Sequence, residues 1–98
     1  MPDTEDEQYQ MPSANIWTHA AKIAISEDKP IMMDYWVDSL DKNVFIGIKT
    51  DDEKLLVKSA EEYTSPISRI YKLDTVFLIC TENSLYIVSS DIEKRRVG

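Results

Sequence analysis

Apolar residues occur along this chain in short runs, most of them no longer than a β-strand. Apolar or alternating stretches of about four to eight residues between polar turns indicate buried or half-buried strands. We therefore predict about seven short strands, at residues 22–25, 30–37, 44–49, 53–59, 67–73, 76–80 and 85–88. Their connections are mostly of hairpin length, and no segment is long and helical enough for a βαβ crossover. We expect antiparallel pairing for this reason.

The fold class that follows is mainly β: a small, antiparallel, partly open β-barrel or a two-layer sandwich of about seven strands. A short helix is predicted over residues 14–21, with Ser13 as its cap and Ile16 and Ala20 on its apolar face. We expect this segment to pack against the sheets. Residues 1–13 hold acids, glutamines and prolines with little to bury, so we predict a disordered acidic arm. Residues 14–98 are then a single β-rich domain.

Side chains alternate between the two faces of a strand, and this assigns a face to each residue. In the predicted strand 53–59 we expect Leu55 and Val57 to point inward and Lys54, Leu56 and Lys58 to point outward. Such a strand would present two lysines to solvent.

Turns in this chain must form almost without glycine, because there are only two. Asp, Asn, Ser and Lys are expected to take their place. Residues 81–84 (Thr-Glu-Asn-Ser) are predicted to form a hairpin turn whose hydroxyls and amide bond the backbone and fix the strand register. Gly47 lies inside a predicted strand, where it indicates a bulge or a close backbone approach.

The net charge of −7 is uneven, since residues 1–13 hold four acids and no base. The remainder is close to balanced, which argues against a nucleic-acid binder driven by bulk phosphate attraction. Cys80 is the only cysteine and lies in an apolar run, so we predict a buried thiol and no disulfide. The acidic start does not resemble a signal peptide, and no apolar run approaches the ~20 residues of a membrane helix. We expect an intracellular protein in a reducing compartment, with no membrane partner.

The residue pattern offers little support for an enzyme. His19 and Cys80 lie far apart and show no metal-ligand spacing, although a nucleophile pair between them stays open as a minor alternative. The carboxylate pairs at residues 51–53 and 61–62 lie in predicted turns. Neither glycine belongs to a phosphate-binding loop. We therefore predict a non-enzymatic protein with no catalytic residues, no metal site and no cofactor.

The main hypothesis comes from a surplus of aromatic and methionine side chains. One small barrel cannot easily bury them all, and such residues are typical of interface centres. The predicted interface residues are Met32, Tyr35, Trp36 and Phe45. We expect a homo-oligomer, in the simplest case a dimer, or binding to another protein.

The alternative hypothesis is binding of single-stranded nucleic acid. Small barrels combine base stacking with phosphate contacts, and tyrosines lie near the basic cluster over residues 54–72. The predicted nucleic-acid-binding residues are Lys54, Lys58, Arg69 and Lys72. A solvated sheet face explains the same lysines more simply.

Four short segments together form a recognisable pattern. They are residues 63–67 (Tyr-Thr-Ser-Pro-Ile), 81–87 (Thr-Glu-Asn-Ser-Leu-Tyr-Ile), 34–36 and 53–58. The pattern resembles short hypothetical proteins of large nucleocytoplasmic DNA viruses and covers about residues 30–90. The resemblance implies a viral origin, with host cytoplasm or virion as the location. It implies no activity and no catalytic residues.

Overall fold

Two helices and seven strands form in residues 11–97, the part of the chain that the computed structural model describes. The helices are α1 (Ala14–Glu27) and α2 (Trp36–Leu40). The strands are β1 (Ile31–Met32), β2 (Phe45–Ile48), β3 (Lys54–Val57), β4 (Ile67–Leu73), β5 (Val76–Thr81), β6 (Leu85–Ser89) and β7 (Glu93–Arg96). The mainly β class with about seven strands is confirmed. The predicted arm lies largely outside the described residues, although Pro12 is already buried.

The strands form two sheets that do not close into a barrel. One has four strands in the order β1-β6-β5-β4, and the other has three in the order β3-β2-β7. The hairpin neighbours pair antiparallel as expected, but β1 pairs with β6, and β7 with β2, in parallel. Each parallel pair joins strands that are distant in sequence. The lengths of the connections between consecutive strands therefore could not predict these parallel pairs.

Helix α1 is longer than predicted, and the predicted strand 22–25 is wrong because it is the second half of this helix. The Ser13 hydroxyl accepts a bond from the backbone N–H of Ile16 at 3.4 Å, as a cap does. Ile16, Ala20 and Ile23 continue the helical period on the face that packs against the sheet. The helix ends at Asp28, whose left-handed conformation (φ 57°) lets its N–H bond the last carbonyls.

The predicted strand 30–37 is also wrong beyond its first residues. Only Ile31 and Met32 pair in a strand, and helix α2 begins at Trp36. Tyr35 and Trp36 are adjacent in sequence and both buried, but they belong to two different cores. An apolar run gives no period that separates a strand from a short buried helical turn, so tertiary packing decides here.

Two hydrophobic cores lie on opposite faces of the four-stranded sheet. Helix α1 covers one face, and the three-stranded sheet covers the other. The first core contains Ile16, Ala20, Trp36, Val76, Leu78, Cys80, Leu85 and Ile87. The second contains Tyr35, Val44, Ile46, Leu56, Ile79 and Val88. Strands β5 and β6 are therefore buried on both faces, which explains their continuous apolar runs. The molecule has three layers, and the packing of the N-terminal segment on a sheet is confirmed.

The predicted faces of β3 are reversed. Leu56 is fully buried between the sheets, while Leu55 and Val57 lie on the opposite face of β3, where Val57 is still only 8% exposed. Leu56 pairs with Ile46, whose own side chain points inward. Three apolar residues in a row satisfy either assignment, so the alternation alone could not choose the face.

Strand β7 was not predicted, since Glu93–Arg96 contains no apolar residue and reads as a short basic run. Its pairing with β2 completes the three-stranded sheet.

The predicted hairpin turn at residues 81–84 is confirmed, although only part of its bonding is as expected. The hydroxyl of Thr81 accepts bonds from the N–H groups of Asn83 and Ser84 at 3.2 and 3.1 Å. The side-chain amide of Asn83 donates to the Ser65 hydroxyl at 3.0 Å and not to the turn backbone.

Candidate interaction surface

The three-stranded sheet has an inner face on the second core and an outer face on which Phe45 and Leu55 are half-buried and Val57 is buried. Phe45 pairs with Val57, and Gly47 pairs with Leu55, so these residues share the outer face. A sheet with one face on a core usually presents polar side chains to solvent on its other face. Here the outward positions of β2 and β3 are apolar.

A groove of about 500 Å³ runs along this outer face. We call it the β2–β3 groove, lined by Phe45, Lys49, Leu55, Val57, Ser59, Ala60, Tyr63 and Val97. Tyr63 is 58% and Val97 44% exposed, so both offer apolar surface to a partner. A Cβ atom at Gly47 would lie 3.1 Å from Val57 Cγ2 and 3.2 Å from Val97 Cγ2. The close approach at Gly47 is made by side-chain methyl groups and not by backbone as expected, and the missing Cβ lets Val97 lie against the sheet.

The rim of the groove carries charges of both signs. Lys49 Nζ lies 3.3 Å from Glu53 Oε1, and Arg95 Nε lies 2.8 Å from Glu93 Oε1. The guanidinium of Arg95 lies 4.5 Å from the centroid of the Phe45 ring, in cation–π geometry. The hydrogen bond from Arg95 lowers the pKa of Glu93, so this carboxylate stays ionised at neutral pH. The rim is therefore charged but balanced.

Tyr63 is placed by the segment that turns back along the outer edge of β3. The Thr64 hydroxyl accepts a bond from the N–H of Leu56 at 3.1 Å, and the Thr64 N–H donates to the Leu56 carbonyl at 2.9 Å. The N–H of Lys58 donates to the Glu62 carbonyl at 2.8 Å. These bonds fix the aromatic ring beside the groove and also cover the edge of β3.

The four predicted interface residues do not form one surface. Tyr35 is 8% exposed in the second core, and Trp36 is 5% exposed in the first. Met32 is half-buried in β1, where it pairs with Tyr86. Phe45 alone lies in the β2–β3 groove. The interface role of these residues stays a prediction, and the three-layer architecture shows how one chain buries two of them.

Tyr35 instead connects structural elements. Its ring contacts that of Tyr86 edge to face at 5.4 Å between centroids, and Lys58 Nζ lies 4.8 Å from its centroid. Lys58 also pairs with Asp38 at 3.2 Å and bonds the Asp34 carbonyl at 3.0 Å. Burial, followed by nearby Tyr86 and acidic groups, raises the pKa of Tyr35 to about 12. This cluster ties β3 to the start of α2.

The four predicted nucleic-acid-binding residues are also dispersed. Lys58 is engaged with Asp38, and Lys54 is exposed at the start of β3. Arg69 pairs with Cys80 and Lys72 with Phe77, so the two bases project from opposite faces of β4. No flat basic face results from these positions, and the nucleic-acid role stays a prediction.

The side chains considered for catalysis lie in different environments. His19 is exposed on α1, where its Nδ1 lies 2.9 Å from the Asn15 carbonyl. Cys80 is buried as predicted, and burial raises the pKa of its thiol, which disfavours the reactive thiolate. Within residues 11–97, no group of three or more His, Cys, Asp or Glu side chains could hold a metal ion.

The sequence analysis missed most of the groove. Leu55 and Val57 were assigned inward, Tyr63 was noted only as a neighbour of lysines, and Val97 carried no signal at all. Besides Phe45, which was predicted, Tyr63 was a detectable clue, since aromatic residues are enriched in contact surfaces.

Comparison with protein-family models, with curated proteins and with solved structures finds no match to this chain. The resemblance to short viral proteins accordingly stays a prediction. Neither helix in residues 11–97 is long and apolar enough to cross a membrane.

Proposed function

We propose that this protein is a non-enzymatic interaction module that self-associates as a dimer through the β2–β3 groove. One observation carries the proposal: the outward positions of β2 and β3 are apolar and border a groove, beside which Tyr63 and Val97 are exposed. Apolar surface gathered in one place and rimmed by polar groups is characteristic of protein contact sites.

A second copy of the chain is the occupant that the rim charges favour. In a two-fold contact the same patch meets itself, so a rim of one sign would repel its copy. The β2–β3 groove has Lys49 with Glu53 on the rim and Arg95 with Glu93 beside it, so each copy offers both signs. Exposed rings and methyl groups of Tyr63 and Val97 can then fill the facing groove.

The size of the face sets the strength of the dimer. Three strands of four residues span roughly 13 Å by 14 Å, given strand rise and spacing. Even with the adjoining turn, this is below the ~800 Å² per partner of a standard interface. We therefore expect a weak dimer that forms with increasing concentration, with a Kd of roughly 10–500 μM.

A reducing compartment is the proposed location, and for a viral protein this is the host cytoplasm or the virion. The single buried thiol of Cys80 supports it, because the described fold is stabilised by its cores without a disulfide.

Sedimentation equilibrium over a concentration series tests the dimer. The double variant Tyr63→Glu/Val97→Glu adds charge to two exposed groove residues, and we expect it to weaken association at least tenfold. Ile25→Glu is the matched control, because Ile25 is 80% exposed on α1, away from the groove. We expect this control to dimerise like the natural sequence.

Two results would overturn the proposal. One is a natural sequence that stays monomeric at several hundred micromolar. The other is a double variant that dimerises as well as the Ile25→Glu control. Circular dichroism confirms beforehand that all three proteins are folded.

A further inference from the structure

The two open sheets have four edges, and three of them are poor sites for strand addition. Strand β1 has two residues, the residues after β3 fold back over its edge, and β7 has four residues that are all charged. Short, covered and charged edges are the usual protection against unwanted pairing. Strand β4 differs, since it has seven residues at the edge of the four-stranded sheet.

The register of the β4–β5 hairpin shows which backbone groups face away from the sheet. Leu73 pairs with Val76 across the two-residue turn, so Leu73, Tyr71 and Arg69 direct their N–H and C=O groups toward β5. The backbone groups of Ile70 and Lys72 then point outward. No backbone hydrogen bond among residues 11–97 closes this outer edge.

Side-chain charge along β4 has a single sign. The strand carries Arg69 and Lys72, both exposed, and no acid. Neither base forms an ion pair with a carboxylate within the described residues, whereas Arg95 and Arg96 of β7 do. Arg69 donates instead to the Tyr71 hydroxyl at 3.1 Å, and Lys72 to the Asp74 carbonyl at 3.2 Å. Two copies of β4 would therefore bring like charges together, while an acidic strand would meet opposite charges.

We infer that β4 is a second docking site, which takes an extended acidic peptide segment of another protein as a fifth strand of the four-stranded sheet. The outward N–H and C=O groups of Ile70 and Lys72 supply main-chain hydrogen bonds to the peptide. Arg69 and Tyr71 on one face of β4, and Lys72 on the other, select acidic side chains on both faces of the peptide. This site is independent of the β2–β3 groove, so either can fail without the other.

Fluorescence anisotropy with short labelled probes tests the site. The probe is an eight-residue peptide of repeated Glu-Glu-Thr-Thr, which places acids on both faces of the added strand, and the reversed-charge control repeats Lys-Lys-Thr-Thr. We expect the acidic peptide to bind and the basic one not to bind. Arg69→Ala/Lys72→Ala should weaken binding by about tenfold, as loss of exposed complementary charges does. The matched control Lys22→Ala removes an exposed base from α1 and should leave binding unchanged.

A proline at position 72 separates charge from backbone pairing. Lys72→Ala removes only the side-chain charge, whereas Lys72→Pro also removes the outward N–H at an edge position where proline is tolerated. We expect Lys72→Pro to bind more weakly than Lys72→Ala, and the amide signals of residues 70 and 72 to shift on titration of the natural sequence.

Three outcomes would overturn the inference. The basic peptide could bind as well as the acidic one, or Lys72→Pro could bind as tightly as Lys72→Ala. A twelve-residue oligothymidine could bind in place of the acidic peptide with the same dependence on Arg69 and Lys72, which would assign the strand to nucleic acid. Thermal melts of each variant show whether the fold is intact.

Discussion

Single buried polar residues join the layers of this protein. Ser39 is fully buried in α2, where its hydroxyl donates to the Trp36 carbonyl at 2.6 Å and accepts from the N–H of Ser89 at 2.9 Å. One side chain thus connects the short helix to the end of β6.

At the scale of single residues, the sequence was informative about turns. Asp28, Lys42, Asp52 and Asp74 adopt the positive φ angles that two glycines could not supply.

Removal of the Ser39 hydroxyl should leave the N–H of Ser89 without its partner. We expect Ser39→Ala to lower the free energy of unfolding by about 1–3 kcal/mol, the cost of an unsatisfied buried donor. Ser26→Ala is the control, since Ser26 is exposed near the end of α1. Urea denaturation of both variants measures the difference. Equal stabilities for the two would show that the Ser39 bridge contributes nothing.

Tyr35 gives the fold a pH dependence in the alkaline range. Its pKa rises from 10.0 to about 12 on folding, chiefly through burial. The unfolded chain therefore releases this proton first, and stability is complete below pH 10 and falls as the pH rises toward 12. We expect Tyr35→Phe to show a shallower loss of stability across this window in urea titrations. Parallel curves for the two proteins would contradict the role of the Tyr35 phenol.

Secondary structure was predictable where local signals act alone. The β4, β5 and β6 strands match the predicted 67–73, 76–80 and 85–88 closely, because polar two- and four-residue turns separate dense apolar runs. The elements that were wrong or missed depend on distant contacts. The second half of α1, the α2 turn and β7 each take their form from the layer they pack or pair against.

Helix α1 should contribute to stability through its buried face and not through its exposed one. Ile16 is 2% and Ile25 80% exposed on the same helix. We expect Ile16→Ala to lower the free energy of unfolding by about 2–4 kcal/mol, because burial is lost and a cavity is left over the sheet. Ile25→Ala should be neutral or slightly stabilising, since alanine favours helix. Denaturant midpoints test this pair, and similar losses for both would contradict the docking of α1 on the four-stranded sheet.

The whole molecule has a helix on one side, a double-faced sheet in the middle and a small sheet whose outer face borders the β2–β3 groove. The β2–β3 groove could not be found from the sequence. It depends on the inward register of Leu56 and on the parallel addition of β7, which brings Val97 beside Gly47. The surplus of aromatic residues indicated a contact surface, but the structure buries Tyr35 and Trp36 and leaves Tyr63 outside.

Isotope-filtered NOE spectra test self-association through the groove most directly. The sample is a mixture in which half of the protein is labelled with ¹³C and half is unlabelled. At a concentration where sedimentation shows dimer, we expect intermolecular NOEs that join the rings of Phe45 and Tyr63 to the methyl groups of Leu55 and Val97. Intermolecular NOEs confined to α1 or to β4 would contradict the proposed dimer, as would a sample that stays monomeric at several hundred micromolar.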